Sequence, residues 1–199
     1  MCAEHSDMRK YADLKDLNGG FLGLLTEPGA LQAAPGLGLD AAIVDQLRRL
    51  SPAELSFIAG TPGLLACFSR PPVASLQQVA EAPAAQRSAQ TAWRESARLY
   101  ATGLLTWLWQ LEQDDRPCCA LYAGSVETGI GSLGRFDFSR LRASADFAVD
   151  HLRARFCGHP SFWSDLIRSA RSGNENFQTL SRLTIIPLVL AEACSTEKF

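Results

Sequence analysis

Lysine is scarce in this chain of 199 residues: Lys10, Lys15 and Lys198 stand against sixteen arginines. Histidine occurs only as His5, His151 and His159, too sparse for a histidine-built metal or relay site. No excess of one charge exists either; the net charge is −2, so nothing draws the whole chain toward nucleic acid. Long apolar runs are missing. The longest, Leu99–Leu111 and Ile185–Ala191, are too short to span a bilayer. Met1 to Asp16 is charged and lacks an apolar h-region, which is not a signal peptide, so a cytoplasmic, non-membrane protein is expected.

Six cysteines are present (Cys2, Cys67, Cys118, Cys119, Cys157, Cys194), but none in the Cys-x₂₋₄-Cys spacing of a structural zinc site. In a reducing compartment they read as thiols, mostly buried. The vicinal Cys118-Cys119 pair and Cys157-Gly158-His159 therefore carry no metal expectation. His159, before Pro160, reads as a helix cap rather than a catalytic base. No serine lies in a nucleophile-elbow context. The sequence predicts neither an enzyme nor a bound cofactor.

What the chain does have is apolar content: 47% of residues are hydrophobic and 20% charged, enough for a real core. The clearest local signals lie between Leu37 and Ser69. Asp40 is a good N-cap, and Ile43, Val44, Leu47 and Leu50 fall on one helical face. Arg48 and Arg49 suit the negative end of that helix. Ser51-Pro52-Ala53-Glu54 is a capping box with proline at the first helical position. Leu55, Ile58 and Ala59 stripe the second helix. Gly60-Thr61-Pro62-Gly63 stops it, glycine supplying a positive φ and proline refusing to continue. Leu64 to Phe68 reads as a short buried segment, strand or extended.

This segment resembles the flagellar transcriptional regulator FlhD family. Leu37-Gly38-Leu39-Asp40, Leu47, Leu50-Ser51, Ile58-Ala59, Thr61, Leu64-Leu65 and Phe68 match its pattern without a gap. Upstream, Asp13-Leu14-Lys15-Asp16-Leu17-Asn18 and Phe21-Leu22-Gly23-Leu24-Leu25 are similar to its opening helix. The resemblance covers roughly residues 13 to 90. It departs from the pattern in several places. Gly19, Gly20, Gly23, Pro28 and Gly29 weaken the first helix, each glycine costing about 0.5–1 kcal/mol against alanine. Cys67 lies one position after the family's cysteine, Arg70-Pro71-Pro72 replaces a more polar turn, and about a hundred residues follow the family's usual end.

Domain organisation reads as residues 10–88, helical with a Pro/Ala/Gln-rich connector at 70–87, and residues 89–199, a helical C-terminal region. The connector has room for a short helix at Ser75–Ala80. In the second region Trp93, Ala97, Tyr100, Ala101, Leu104, Leu108 and Leu111 follow helical spacing, ended by Asp114-Asp115-Arg116-Pro117. Cys118 to Ala123 reads as a strand or a helical turn. A helix opening at Asp137 carries Leu141, Ala145, Ala148, Val149 and Leu152, and is expected to end at Gly158-His159-Pro160. Ser161 caps another with Phe162, Trp163, Leu166, Ile167 and Ala170 inward. Asn174 to Glu192 reads as a last helix, interrupted by Pro187. The fold class expected is mainly α, a multi-helix orthogonal bundle with one or two short strands.

Two candidate binding features remain. Gly129-Ile130-Gly131-Ser132-Leu133-Gly134 matches GxGxxG, but no buried strand precedes it and no βαβ alternation surrounds it, so it reads as a loop. Between Arg135 and Arg182 eight arginines face five acids, a local balance of about +3. Arg140, Arg142, Arg153 and Arg155 are the candidates for a DNA backbone, since the guanidinium fork takes two phosphate oxygens at once. A solvated face in an arginine-preferring protein is the competing reading.

The resemblance implies a homo-oligomeric regulator that joins a second, zinc-binding FlhC-like subunit, with much of the DNA contact made by that partner. It places subunit pairing on Leu17, Phe21, Leu24, Leu25, Ile43 and Leu47. The alternative is a helical adaptor or chaperone-like protein whose apolar stripes bind a client, with no DNA role.

Overall fold

A computed structural model describes residues 2–31, 37–69, 92–123, 133 and 136–195. The described residues are mainly helical, with one small two-stranded sheet among them. The chain forms two compact units, and neither is a continuous half: one takes residues 1–66 and 154–188, the other 67–153 and 189–199. The connector at 70–87 lies outside the described residues, as does the Gly129–Gly134 stretch apart from Leu133, which is buried.

The first unit opens with a long helix α1 (Cys2–Thr26), followed by α2 (Ala41–Arg48) and α3 (Pro52–Ala59). α1 runs unbroken through Gly19, Gly20 and Gly23 because its inner face, Leu14, Phe21, Leu22, Leu24 and Leu25, is buried against α2 and α3. Packing outweighs propensity here. Asp40 accepts the Ala42 N–H at 2.8 Å, starting α2. At α3 both halves of the capping box form: the Ser51 N–H donates to Glu54 at 2.7 Å, and the Glu54 N–H donates to Ser51 Oγ at 3.3 Å. Hydrogen bonding from Ser51 holds the Glu54 carboxyl below its usual range.

Gly60 ends α3 at φ −73°, so no positive φ requires glycine there. A Cβ there would meet the Arg182 guanidinium and the Phe57 carbonyl at 3.4 Å, an ordinary contact distance. The turn beyond is held by Asn18 of α1, which is fully buried. Its amide nitrogen lies 2.9, 3.1 and 3.3 Å from the carbonyls of Gly63, Ala59 and Thr61, and its Oδ1 accepts the Leu65 N–H at 2.9 Å.

β1 (Ala66–Phe68) pairs antiparallel with β2 (Leu152–Ala154). The Arg155 N–H donates to the Leu65 carbonyl and the Ser69 N–H to the His151 carbonyl, both at 2.8 Å. In both strands the two outer residues are buried and the central one half-buried, the alternation of a covered strand.

The second unit is built on α4 (Ala92–Asp114), with α5 (Arg116–Ala123), α6 (Phe138–Ala143) and α7 (Ala145–His151) packed on it. Ala97, Ala101, Leu104, Leu105, Leu108 and Leu111 form the buried face of α4. Cys118 to Ala123 is helical. The single helix expected from Asp137 to Gly158 is instead two helices and a strand. It breaks at buried Ser144, whose hydroxyl bonds back to the Arg140 carbonyl, a geometry that bends helices.

The first unit is completed by α8 (Phe162–Ala170), α9 (Glu175–Leu183) and the start of α10 (Ile185–Ser195). The break in the last helix lies at Thr184, not at Pro187. Pro187 is the third residue of α10, where its missing N–H costs nothing because first-turn N–H groups have no helical acceptor.

Candidate functional site

Helices α8 and α9 carry the most distinctive surface, and its position is set by the turn after β2. Arg155 is buried (1% exposed), its guanidinium 5.0 Å from the Phe156 ring centre. Phe156 has φ 57°, an uncommon conformation for a residue with a Cβ. The Trp163 indole N–H ties this turn down by donating to the Arg155 carbonyl at 3.0 Å. Phe162 packs between Phe156 and Trp163, tilted against the first ring and edge-on to the second, ring centres 4.9 and 5.7 Å away. Ser161 occupies the cap position of α8 but makes no side-chain cap. The cap comes from His159 Nδ1, which accepts the Phe162 N–H at 3.1 Å, the structural role expected of that histidine.

α8 buries Phe162, Trp163, Leu166, Ile167 and Ala170 and packs on α2, α3 and α9. Asn174 then starts α9, its Oδ1 accepting the Phe177 N–H at 3.1 Å. This helix is amphipathic but turned inside out. Its half-buried residues are Gln178, Ser181 and Arg182. The Arg182 guanidinium lies 4.2 Å over the Phe57 ring of α3, and its Nε is buried without a hydrogen bond. The apolar residues point the other way: Phe177 is 37% exposed, Leu180 64% and Leu183 47%, followed by Ile186 of α10 at 41%. No residue of α9 is buried.

Beside this face runs a groove of about 380 Å³. Phe162, Leu166, Phe177 and Leu188 give it apolar walls. Asp165 and Arg168, paired at 2.6 Å, lie on its lining as well. The sequence places a helix here without assigning its faces, because nothing local marks Arg182 as the inward residue.

The candidates for DNA contact do not form one patch. Arg140 and Arg142 are exposed on α6, two residues apart, and so do not share a helical face. Arg153 is half-buried, its Nη1 donating to the carbonyls of Leu152 and Asp150 at 2.8 and 3.3 Å. Arg155 must be corrected outright, because a residue 1% exposed with its guanidinium against the Phe156 ring offers no phosphate contact. The pairing set is corrected in part. Phe21, Leu24, Leu25 and Leu47 are buried by this chain's own packing and present no surface, while Leu17 and Ile43 are half-buried. Their apolar spacing recorded how α1 meets α2 within one chain.

Among the described residues no three His, Cys, Asp or Glu side chains converge as a metal site. Cys119 is buried and its thiol donates to the Leu108 carbonyl at 3.3 Å. Burial, with Glu112, Cys118 and Asp115 nearby, pushes that thiol up to about 12. Burial also raises the Tyr100 phenol. Both groups stay protonated; Cys119 lies in the interior of the second unit, and Tyr100 is half-buried with its hydroxyl oxygen covered. Among the described residues no helix is long and apolar enough to cross a membrane. The chain matches no family model, no curated protein and no solved structure.

Proposed function

We propose that this protein is an FlhD-like subunit of a transcriptional activator complex, acting through protein–protein contacts and reaching DNA through its partner. The observation that carries the assembly reading is the outward apolar face of α9, with Leu180 64% exposed while Arg182 is folded under the helix. Exposed contiguous apolar surface of this kind marks an interaction site. The regulator reading rests on the resemblance between Leu37 and Phe68, where Asp40 and the Ser51–Glu54 box cap their helices as that motif demands. With Arg155 buried and Arg153 held to backbone, Arg140 and Arg142 are the two of the four candidates that stay exposed. The FlhC-like subunit then supplies most of the DNA contact.

The same two arginines favour a second reading, a helical adaptor with no DNA role. One experiment separates them: affinity capture of the full chain from its native cell, with and without nuclease, read by mass spectrometry and DNA recovery. A cysteine-rich, zinc-binding partner with nuclease-sensitive DNA supports the regulator. A set of nuclease-insensitive protein clients without that partner refutes it and leaves the adaptor.

A further inference from the structure

We propose that Asn18-Gly19 is a latent self-modification site, sealed in the folded chain: when α1 leaves the turn after α3, the Gly19 backbone nitrogen attacks the Asn18 side-chain amide, and the asparagine is lost as aspartate or isoaspartate. The inference does not rest on the regulator reading.

The chemistry resides in one dipeptide. Of the three asparagines, Asn174 precedes Glu175 and Asn176 precedes Phe177, while Asn18 precedes a glycine. A residue with a Cβ crowds its own backbone nitrogen and restricts φ and ψ, and glycine does neither. Solvent base takes the Gly19 N–H proton, the nitrogen bonds to Asn18 Cγ, and the Cγ–Nδ2 bond breaks with ammonia leaving. The resulting cyclic imide takes up one water and opens at either carbonyl, to aspartate or to isoaspartate. Water enters and ammonia departs, so the balance needs no oxidant or cofactor.

Nothing in the fold explains a glycine at position 19. It lies inside α1, where the backbone is helical and glycine is destabilising against alanine. A Cβ there would meet the Ala59 Cβ at 4.0 Å, an ordinary contact.

The fold blocks each step of the reaction. Asn18 is 0% exposed, so neither base nor water reaches it. Its amide nitrogen is held by the carbonyls of Gly63 and Ala59 at 2.9 and 3.1 Å, and its Oδ1 by the Leu65 N–H at 2.9 Å, so the amide cannot swing onto the Gly19 nitrogen. The Gly19 N–H itself points along α1 into the helical hydrogen-bond ladder. Opening releases these restraints together, because the same side chain joins α1 to the turn. The change is then one-way. Aspartate sets a carboxylate against the Ala59, Thr61 and Gly63 carbonyls, and isoaspartate adds a backbone carbon inside α1, so neither product restores the junction. A molecule that dwells open is thereby marked and kept open.

The test follows the peptide containing Asn18 by mass spectrometry while the full chain stands in mildly alkaline buffer, folded or in unfolding urea, with Gly19→Ala alongside. In urea, Asn18 is expected to show the mass gain of amide-to-acid conversion, as a mixture of aspartate and isoaspartate, ahead of Asn174 and Asn176. In the folded chain the same gain is slower by about a hundredfold or more, since only the open fraction reacts. Gly19→Ala keeps the helical circular dichroism and loses most of the gain in urea. When urea is removed, modified molecules concentrate in the pool that fails to refold. If the unmodified chain itself refolds poorly, brief proteolysis of protein aged at the foot of its urea transition decides instead, and modified molecules are digested first. A folded rate close to the unfolded one overturns the proposal. So does a Gly19→Ala chain that converts as fast as wild type in urea, or a modified chain that refolds and resists proteolysis like the unmodified one.

Discussion

Replacing Asn18 by leucine keeps the side-chain size and removes every polar atom from the junction of α1 with the turn after α3. Asn18 is fully buried, so water cannot take over its partners. The Leu65 N–H and the Gly63 carbonyl each lose a 2.9 Å bond, and the Ala59 carbonyl loses one of 3.1 Å. Thr61 suffers less, because its carbonyl still accepts the Gly63 N–H at 2.8 Å. At about 1–3 kcal/mol for each stranded buried group, with partial relaxation, Asn18→Leu costs about 3–5 kcal/mol. That is a large share of the 5–15 kcal/mol or so that holds a domain together. Urea unfolding followed by far-ultraviolet circular dichroism measures it. Asn18→Asp sharpens the test. Its carboxyl, surrounded by carbonyl oxygens, has a folded pKa raised above the unfolded value near 3.9, so its penalty is smallest below that pH and grows as pH rises. A cost below about 1 kcal/mol for Asn18→Leu, or an Asn18→Asp penalty that shrinks with rising pH, refutes the reasoning.

Other changes have equally definite outcomes. Gly23 is exposed within α1 with open space where a Cβ would lie, so Gly23→Ala raises stability by about 0.5–1 kcal/mol, read as an increase in Tm. Ser51→Ala removes the α3 cap and lowers stability by about 0.5–2 kcal/mol in the same assay. The Glu54 carboxyl is held below its ordinary value, so its contribution is present above the ordinary carboxylate range and is lost as pH falls through the folded value. Wild type therefore exceeds Glu54→Gln in stability at pH 7, and the two converge in acid. With iodoacetamide at pH 8 and peptide mapping, exposed Cys157 is alkylated in the native protein, while Cys119, its thiol pushed up to about 12, reacts only after unfolding.

Where the chemistry was local, the sequence was legible. Asp40 and the Ser51–Glu54 box each act on backbone groups two or three residues away, and both form as read. The α4 stripe was readable for the same reason, although Leu105 joins it and Tyr100 lies half-buried at its edge. Long-range causes were not readable. Leu152 to Ala154 continues a helical pattern in sequence, yet becomes a strand because its hydrogen-bonding partner lies between Leu65 and Ser69, more than eighty residues earlier. Arg155 looked like one arginine among eight, and nothing local marked it as the one that packs inward against Phe156. For α9 the sequence offered a helix and no inward side, since Phe57 of α3, which receives Arg182, lies far away in the chain. Gly60 was read as a positive-φ residue and instead ends α3 at φ −73°.

The division of the chain sets an order of events during synthesis. Residues 1–66 leave the ribosome as α1, α2 and α3 with no α8 to cover them. About ninety residues must follow before residue 154 is made, which at roughly 5–20 residues per second is a wait of about 5–20 s. During that interval the faces of α2 and α3 that will meet Phe162 and Trp163 are open to water, to folding helpers and to misplaced neighbours. The intervening segment has everything it needs for its α4–α7 packing before the outer unit is finished. A premature stop anywhere before α8 therefore releases a chain whose first three helices can never be closed over.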